Sequence, residues 1–292
     1  MQGIGPSGPG QRVTVVGTNF GSDERLIDLK VGDKVANQSS IRLFPIRDST
    51  EAEVSATVPF GAGEFLPVTA IVDGQESLEN SNVLFSYDSP IIINVTTVGT
   101  QGGLIEIVGE NFGEVGRLSG SVNVSGVACA EPEVTVGNTR IQCVVAPGSG
   151  AGHDIDLQVT KQAKKSFLSS GIGMLRYECP EILQVAYSQP NLTTVRAGQS
   201  GQRITLTGKN FGASVEDIKM SLIHASGRQF DCSDVQFDQT FSQGPLNPEG
   251  KYRISAEVPV GYGTDLAVLL NVNGQDNAGG CTIERELSKE DI

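Results

Sequence analysis

"GTNFG" at residues 17–21 returns as "GENFG" at 109–113 and as "GKNFG" at 208–212. Each copy closes a stretch in which apolar and polar residues alternate. Val13 and Val15 flank Thr14 in "RVTVVG", Ile105 and Ile107 flank Glu106 in "LIEIVG", and Ile204 and Leu206 flank Thr205 in "RITLTG". Successive side chains of a strand point to opposite faces, so this alternation reads as a half-buried strand. A second element follows each turn in the same order: "VPFGAG" from Val58, "APGSGAG" from Ala146 and "VPVGYG" from Val258. Two markers in one order, three times over, define an internal repeat of about 90–100 residues, too long for a solenoid unit and suited to a small sandwich domain.

Boundaries follow from two matching joints, "FSYDSPIIINV" (85–95) and "LRYECPEILQV" (175–185). In each, a strand ends at a tyrosine, a proline breaks it, and a new apolar run begins at once. This places domains at 1–89, 90–179 and 180–292, with neighbours leaning on each other rather than hanging on a Gly/Ser linker. Domain one, opening with "MQGIGPSGPGQ", lacks the apolar first strand that "PIIINV" and "PEILQV" supply to the others. Three such domains end to end make a rod of more than about 100 Å, at strand lengths of seven to ten residues plus loops.

Composition agrees with an all-β chain: 292 residues carry 36 Gly, 13 Pro and no Trp. Only "SVEDI" (214–218) and the final "SKEDI" look helical, each for about a turn. No stretch approaches the roughly 20 apolar residues of a membrane span, and no signal peptide is present. The formal net charge of −13 divides as about −6, −2 and −5 over the three domains. Nucleic-acid binders present Lys/Arg stripes to phosphate, so an acidic chain whose densest basic stretch is "KQAKKS" (161–166) is not expected to bind nucleic acid. That stretch reads as a solvated hairpin tip.

No motif carries catalysis. His153 and His224 lie in different domains, without the Cys or carboxylate spacing of a metal site or proton relay. "GIGPSG" (3–8) fits a dinucleotide fingerprint only in its letters, since no strand precedes it and no helix follows. "HDID" (153–156) reads as Asp154 and Asp156 on the outer face of one strand. The repeated turn also reads as structural. Gly17, Gly21, Gly109, Gly113, Gly208 and Gly212 supply backbone angles closed to other residues. Asn19, Asn111 and Asn210 are expected to bond their own backbone, and Phe20, Phe112 and Phe211 to plug the end of each sandwich. The variable position of the turn, Thr18, Glu110 or Lys209, shares no chemistry among the copies, which argues against a binding loop.

Strand, G-x-N-F-G turn, the "SVNVSGVAC" strand, "TRIQCVVAPGSG" and a closing "LRYE" strand together resemble the IPT/TIG domain, an immunoglobulin-like sandwich. The resemblance covers nearly the whole chain in three copies and is strongest in domain two. It implies one of two habitats: extracellular stalks of plexin-like, growth-factor-receptor-like, fibrocystin-like and adhesion proteins, or the dimerisation part of Rel-type transcription factors. Tandem arrays belong to the first. It also implies a bridge between Cys129 and Cys143, which extracellular members often carry at this place and which would close a short loop, worth about 3 kcal/mol; two reduced buried thiols are the alternative. Ala36 and Ser55 stand at about these positions in domain one, and Cys232 and Ser255 in domain three. In such a sandwich the first strand starts where the final hairpin turns back, so Cys179 and Cys281 are expected to meet and clamp the second joint, leaving Cys232 free or paired outside the chain.

Four N-x-S/T sequons, at Asn37, Asn94, Asn123 and Asn191, are candidate attachment points for N-linked glycans. Asn123 is the best placed, because Val122 and Val124 must point inward and leave it outward. The expected protein is a non-enzymatic extracellular or cell-surface module without cofactors, without direct membrane insertion, and with other protein chains or further repeats of the same protein as partners. A ligand-recognition stalk is the first alternative, with the insert "FDQTFSQGPLNPEG" (237–250) as its candidate loop. Accessory domains of a larger secreted enzyme are the second.

Overall fold

The structure, a computed structural model, describes residues 2–5, 11–78, 80, 82–159, 174–187, 201–238, 251–260 and 266–278. It is all-β; the helical turns among the described residues are short 3-10 turns at Glu24–Leu26, Gln38–Ser40 and Val215–Asp217. The last is the turn anticipated in "SVEDI", capped by the Ser214 side chain accepting from the Glu216 amide. "SKEDI" lies outside the described residues.

The chain divides into two compact units. One comprises Met1–Thr96, Leu104–Val145 and Asp154–Met174; the other comprises Thr97–Gly103, Ala146–His153 and Leu175–Ile292. The division runs through repeat two. The residues of repeat two nearest the second joint go with repeat three, and the rest with repeat one.

In the first unit, repeat one pairs Arg12–Thr18 with Glu51–Thr57 and that strand with Arg42–Pro45. The facing sheet runs Gln2–Gly5, Leu84–Tyr87, Leu66–Val72, Ile27–Val31, Lys34–Val35. Between them lie Ile27, Leu29, Val54 and Ala56, all fully buried. Repeat two contributes a five-stranded sheet, Ile91–Val95, Gly103–Glu110, Arg140–Val145, Ala130–Val136, Gly116–Arg117, and the strands Val127–Ala128, Ser121–Val124 and Ile155–Gln158. In the second unit, repeat three packs the sheet Glu181–Tyr187, Arg203–Lys209, Tyr252–Glu257, Ser233–Phe237 against Gln229–Asp231, Ile218–Ile223, Ala267–Val272, Gln275–Asp276. Its core includes Ile204, Leu206, Met220, Ile254 and Leu270. Ile204 and Leu206 are the alternating positions read as inward from the sequence.

Repeat one differs at its first strand, and the expectation that it has none needs correction. Gln2–Gly5 is a strand, but it runs parallel to Leu84–Tyr87. In repeats two and three the first strand runs antiparallel to the strand before the turn: Ile91–Val95 on Gly103–Glu110, and Glu181–Tyr187 on Arg203–Lys209. Main-chain pairing along an open edge needs no apolar alternation, so a Gly-rich stretch can form it. Repeat two makes a matching parallel contact further along its chain, the bridge of Val98 to Tyr177. Gly5 pairs with Tyr87 in the same way. What repeat one lacks among the described residues is the antiparallel strand alone, so Arg12–Thr18 is an edge.

The first glycine of the turn is explained by that antiparallel strand. A Cβ on Gly109 would stand 2.0 Å from the carbonyl oxygen of Ile91 and 2.5 Å from the tip of the Phe112 ring. On Gly208 it would stand 2.0 Å from the Glu181 oxygen and 2.5 Å from the tip of Phe211. Gly17 faces only the tip of Phe20, at 3.0 Å. Gly109→Ala and Gly208→Ala are therefore expected to destabilise their repeats by on the order of 2–3 kcal/mol, and Gly17→Ala by less than about 1 kcal/mol. Amide exchange within each repeat's own strands is the measurement, because a chain of several domains need not unfold in one step.

Candidate functional site

Three asparagines of the repeated turn share a left-handed backbone, with φ of 65° at Asn19, 62° at Asn111 and 58° at Asn210. Asparagine tolerates that region better than most residues, and the glycines two residues on, Gly21, Gly113 and Gly212, also take positive φ. The second glycine thus supplies the angle expected of it, whereas Gly17, Gly109 and Gly208 do not take positive φ and are set by close approach instead. The side-chain bonds do not follow the expectation of local backbone partners. Asn111 Nδ2 donates to the carbonyl oxygen of Ser89 at 3.0 Å, and Asn210 Nδ2 donates to that of Cys179 at 3.1 Å. Ser89 and Cys179 are the residues immediately before the joint prolines, Pro90 and Pro180. The left-handed turn brings the side-chain amide within reach of the entering chain, at the residue before its proline.

Around the first joint, within the first unit, Lys34 Nζ lies 2.7 Å from Glu114 Oε2, and Gly113 packs beside Gly61 and Ala62. The ion pair is exposed and contributes little. The second joint, within the second unit, is more extensively bonded. Asn210 also donates to Glu178 Oε2 at 3.1 Å, and the Thr100 amide approaches Asn210 Oδ1 at 3.4 Å. Ser149 Oγ donates to Asp217 Oδ2 at 2.9 Å, and Asn273 Nδ2 to the Ser149 oxygen at 3.2 Å. Gln275 Nε2 donates to the Tyr177 oxygen at 2.9 Å. Thr100, Asn111, Ser149 and Gln275 are all buried, and each lies at a joint. Buried polar groups are costly unless bonded, and the other four among the described residues, Ser55, Thr69, Ser86 and Ser221, bond within their own repeats.

The second repeated marker serves the closing tyrosine. Tyr87 donates its hydroxyl to the Pro59 oxygen at 3.0 Å and Tyr177 to the Ala146 oxygen at 2.9 Å. Gly61 and Gly148 lie beneath the two rings, where a Cβ would come within 2.5 Å of the phenol oxygen. Burial, then the Asp33 carboxylate, holds the Tyr87 phenol well above its ordinary range, and burial alone raises Tyr177. Both stay neutral at physiological pH, fit to donate.

The model of the family described as IPT/TIG domain matches residues 3–87 and 90–173, more than half of the chain. The chain belongs to the IPT/TIG domain family. Repeat three carries the same turn and strand pairing. Fibrocystin-L of Mus musculus is 23% identical over 214 residues, which are 73% of this chain and 5% of that protein. The chain thus spans a small fraction of the length of this relative. Among solved structures, the I9–I11 tandem of titin is similar at 10% identity with a TM-score of 0.24, over 94% of this chain and 92% of that one. SGBP-B of Bacteroides uniformis is similar at 9% identity with a TM-score of 0.27, over 92% and 91%. Superpositions that loose carry no argument.

In the second IPT/TIG repeat Cys129 and Cys143 form a disulfide, with Cα atoms 5.7 Å apart. Its counterparts are fixed by main-chain bonds. The amides of Ala36, Cys129 and Cys232 donate to Leu29, Val122 and Met220 in turn, so Ala36 and Cys232 do stand where Cys129 stands. The other side shifts by one residue. Counted back from Gly61 and Gly148, Cys143 corresponds to Ala56, and to Ala256 in repeat three, both fully buried. Ser55 and Ser255 instead face the arginines that begin the preceding strand, Arg12 and Arg203. A one-residue shift turns a strand side chain to the other face, which is why approximate alignment misassigned it.

Cys232 is a free thiol, half-buried, with its pKa pushed up to about 11 by burial and next by the Asp231 carboxylate. It lines a cleft of about 550 Å³ with Met220, Ser221, Val235 and Leu269. Cys179 is disulfide-bonded, and Cys281 lies outside the described residues. Asn37 and Asn94 are exposed, and Asn123 is half-buried between inward Val122 and Val124. Asn191, "KQAKKS" and residues 239–250 of the insert lie outside the described residues. "HDID" does not form one strand: His153 ends Ala151–His153, Asp154 sits at the break, and Asp156 belongs to Ile155–Gln158, paired to a different neighbour. Among the described residues no group of three His, Cys, Asp or Glu side chains is arranged to hold a metal ion.

Sequence reading missed Thr100, Ser149, Asp217, Asn273 and Gln275. The available signal was the last hairpin, "DGQ" at 73–75 and "NGQ" at 273–275, repeated in two domains. Replacing Asn111 or Asn210 with alanine is expected to speed cleavage of its own joint, at 88–90 or 178–180, by about 5- to 10-fold, the equivalent of one or two net hydrogen bonds. A time course with a broad-specificity protease and mass readout checks this. Ala256→Cys is expected to bridge to Cys232, removing the free thiol and raising stability by about 3 kcal/mol, measured by thiol titration and denaturant unfolding.

Proposed function

We propose that this chain is a non-enzymatic building segment of an extracellular or cell-surface protein. It would consist of three IPT/TIG sandwiches, at about 1–89, 90–179 and 180–292, serving as spacer or structural module in an adhesion protein, receptor stalk or filament. The observation that carries this reading is the set of buried, bonded polar side chains at the joints. Thr100, Asn111, Ser149 and Gln275 order the joints between repeats. A chain that places four of the eight buried polar side chains of its described residues where one domain meets the next is built for defined geometry, which suits a spacer. The Cys129–Cys143 disulfide supports an oxidising compartment. Its partners, on this reading, are other protein chains or further repeats of the same protein, with N-linked glycan on outward-facing sequons such as Asn123.

Recognition of a ligand by repeat three is a second reading, favoured by the cleft beside Cys232 next to the strand that leads into the insert.

Expression through a eukaryotic secretory pathway tests the first reading. The secreted chain is expected to carry Cys129–Cys143 and Cys179–Cys281 bridges, one free thiol at Cys232, and N-linked glycan at Asn123, seen by peptide mapping before and after enzymatic glycan release. Retention in the cell, or a product with all five cysteines reduced, would count against a surface protein.

A further inference from the structure

Repeat one carries the parts of a receiving half-joint, and no described residue fills it. In repeat three that half consists of Asn210, Phe211, the hairpin residues Asn273 and Gln275, and the strand edge Arg203–Lys209. It receives the Tyr177–Cys179 carbonyls and the strand Glu181–Tyr187. Repeat one presents the same parts in the same backbone conformation. Asn19 has φ 65° against 58° at Asn210, Asp73 has 48° against 47° at Asn273, and Gly74 has 82° against 86° at Gly274. Even the hairpin anchor repeats, Asp73 N to Leu26 O and Asn273 N to Asp217 O, both at 2.8 Å.

What differs is cover. Gln275 is buried and Gln75 exposed; Phe211 is fully buried and Phe20 half-buried. Ile204 and Leu206 are fully buried, while Val13 and Val15 remain half-exposed. Among the described residues neither Asn19 nor Gln75 makes a side-chain hydrogen bond. An edge strand with half-exposed core valines and unbonded amides beside it is a template for one more antiparallel strand.

We propose that this pole of repeat one docks a preceding sandwich domain of the same family. The docking partner is the end of that domain's closing strand, of the form Phe/Leu-x-Tyr-x-x-Pro followed by an apolar run. The run adds antiparallel to Arg12–Thr18, covers Val13, Val15 and Phe20, and the residue before its proline offers its carbonyl to Asn19. Residues 85–95 and 175–185 of this chain are two examples of the form. The inference rests on the spacer reading, since it extends the same joint to one more domain.

The test extends the full chain. Val98 meets Tyr177 as Gly5 meets Tyr87. The nine residues 85–93, "FSYDSPIII", placed before Met1 therefore set Ile91 as far ahead of Gly5 as it lies ahead of Val98. The extended chain is expected to slow amide exchange across Arg12–Thr18 by about tenfold and to raise the melting midpoint of repeat one. Asn19→Gly, which keeps the positive φ and removes the side-chain amide, is expected to remove a large part of that gain in the extended chain and to leave the original one little changed. An extension that leaves exchange and melting unchanged overturns the proposal. So does concentration-dependent self-association of the original chain that Asn19→Gly abolishes, because a second copy would then be the occupant. Proteolysis of the joints in the Asn111→Ala and Asn210→Ala variants reports on the spacer reading alone, so the two can fail separately.

Discussion

The close pass of a main-chain carbonyl over a glycine is the constraint on which the rest depends. Ile91 and Glu181 can run beside the strands ending at Gly109 and Gly208 only because those residues have no Cβ. That pass lets the first strand of a domain reach the sheet, and it also leaves room for the phenylalanine three residues on. With the phenylalanine seated, the asparagine before it stands in the left-handed region and its amide projects toward the incoming chain. One short motif thereby joins two levels of order. Glycine and phenylalanine close the sandwich, and asparagine ties the sandwich to its predecessor.

The second marker works in the opposite direction, at the exit of each domain. Gly61 and Gly148 make room for a tyrosine whose hydroxyl is bound to the oxygen of Pro59 or Ala146, and the chain leaves for the next domain two residues later. Entry and exit are thus both held by polar side chains bonding to main-chain carbonyls, in part-buried surroundings. Such bonds are stronger where the surroundings are dry, and leaving one unmade is correspondingly costly. The disulfide is a different kind of element. Ala36 and Ala56 occupy its place in repeat one, and Cys232 with Ala256 in repeat three, without change to the sandwich. It adds stability to one repeat and is not needed to specify the fold.

The sequence by itself determined the all-β class, the three repeats, the alternation that faces Ile105, Ile107, Ile204 and Leu206 inward, and the turn, because each follows from local steric rules. Glycine and asparagine admit positive φ, and period-two patterning selects a face. It also carried the pairing of Cys129 with Cys143 once the family was recognised. It did not reveal that Asn111 and Asn210 bond across a joint, because the choice between a carbonyl in the same turn and one in the entering strand depends on which is brought nearer. It set Ser55 and Ser255 opposite the cysteine positions where Ala56 and Ala256 stand, since a single-residue register shift is invisible in composition. Nor did it separate the parallel contact of Gln2–Gly5 from the absent antiparallel strand. Those three outcomes belong to the tertiary structure. Hydrogen-bond partners distant in the chain, and the register that aligns them, are selected by packing of whole sheets, and no local pattern encodes that packing.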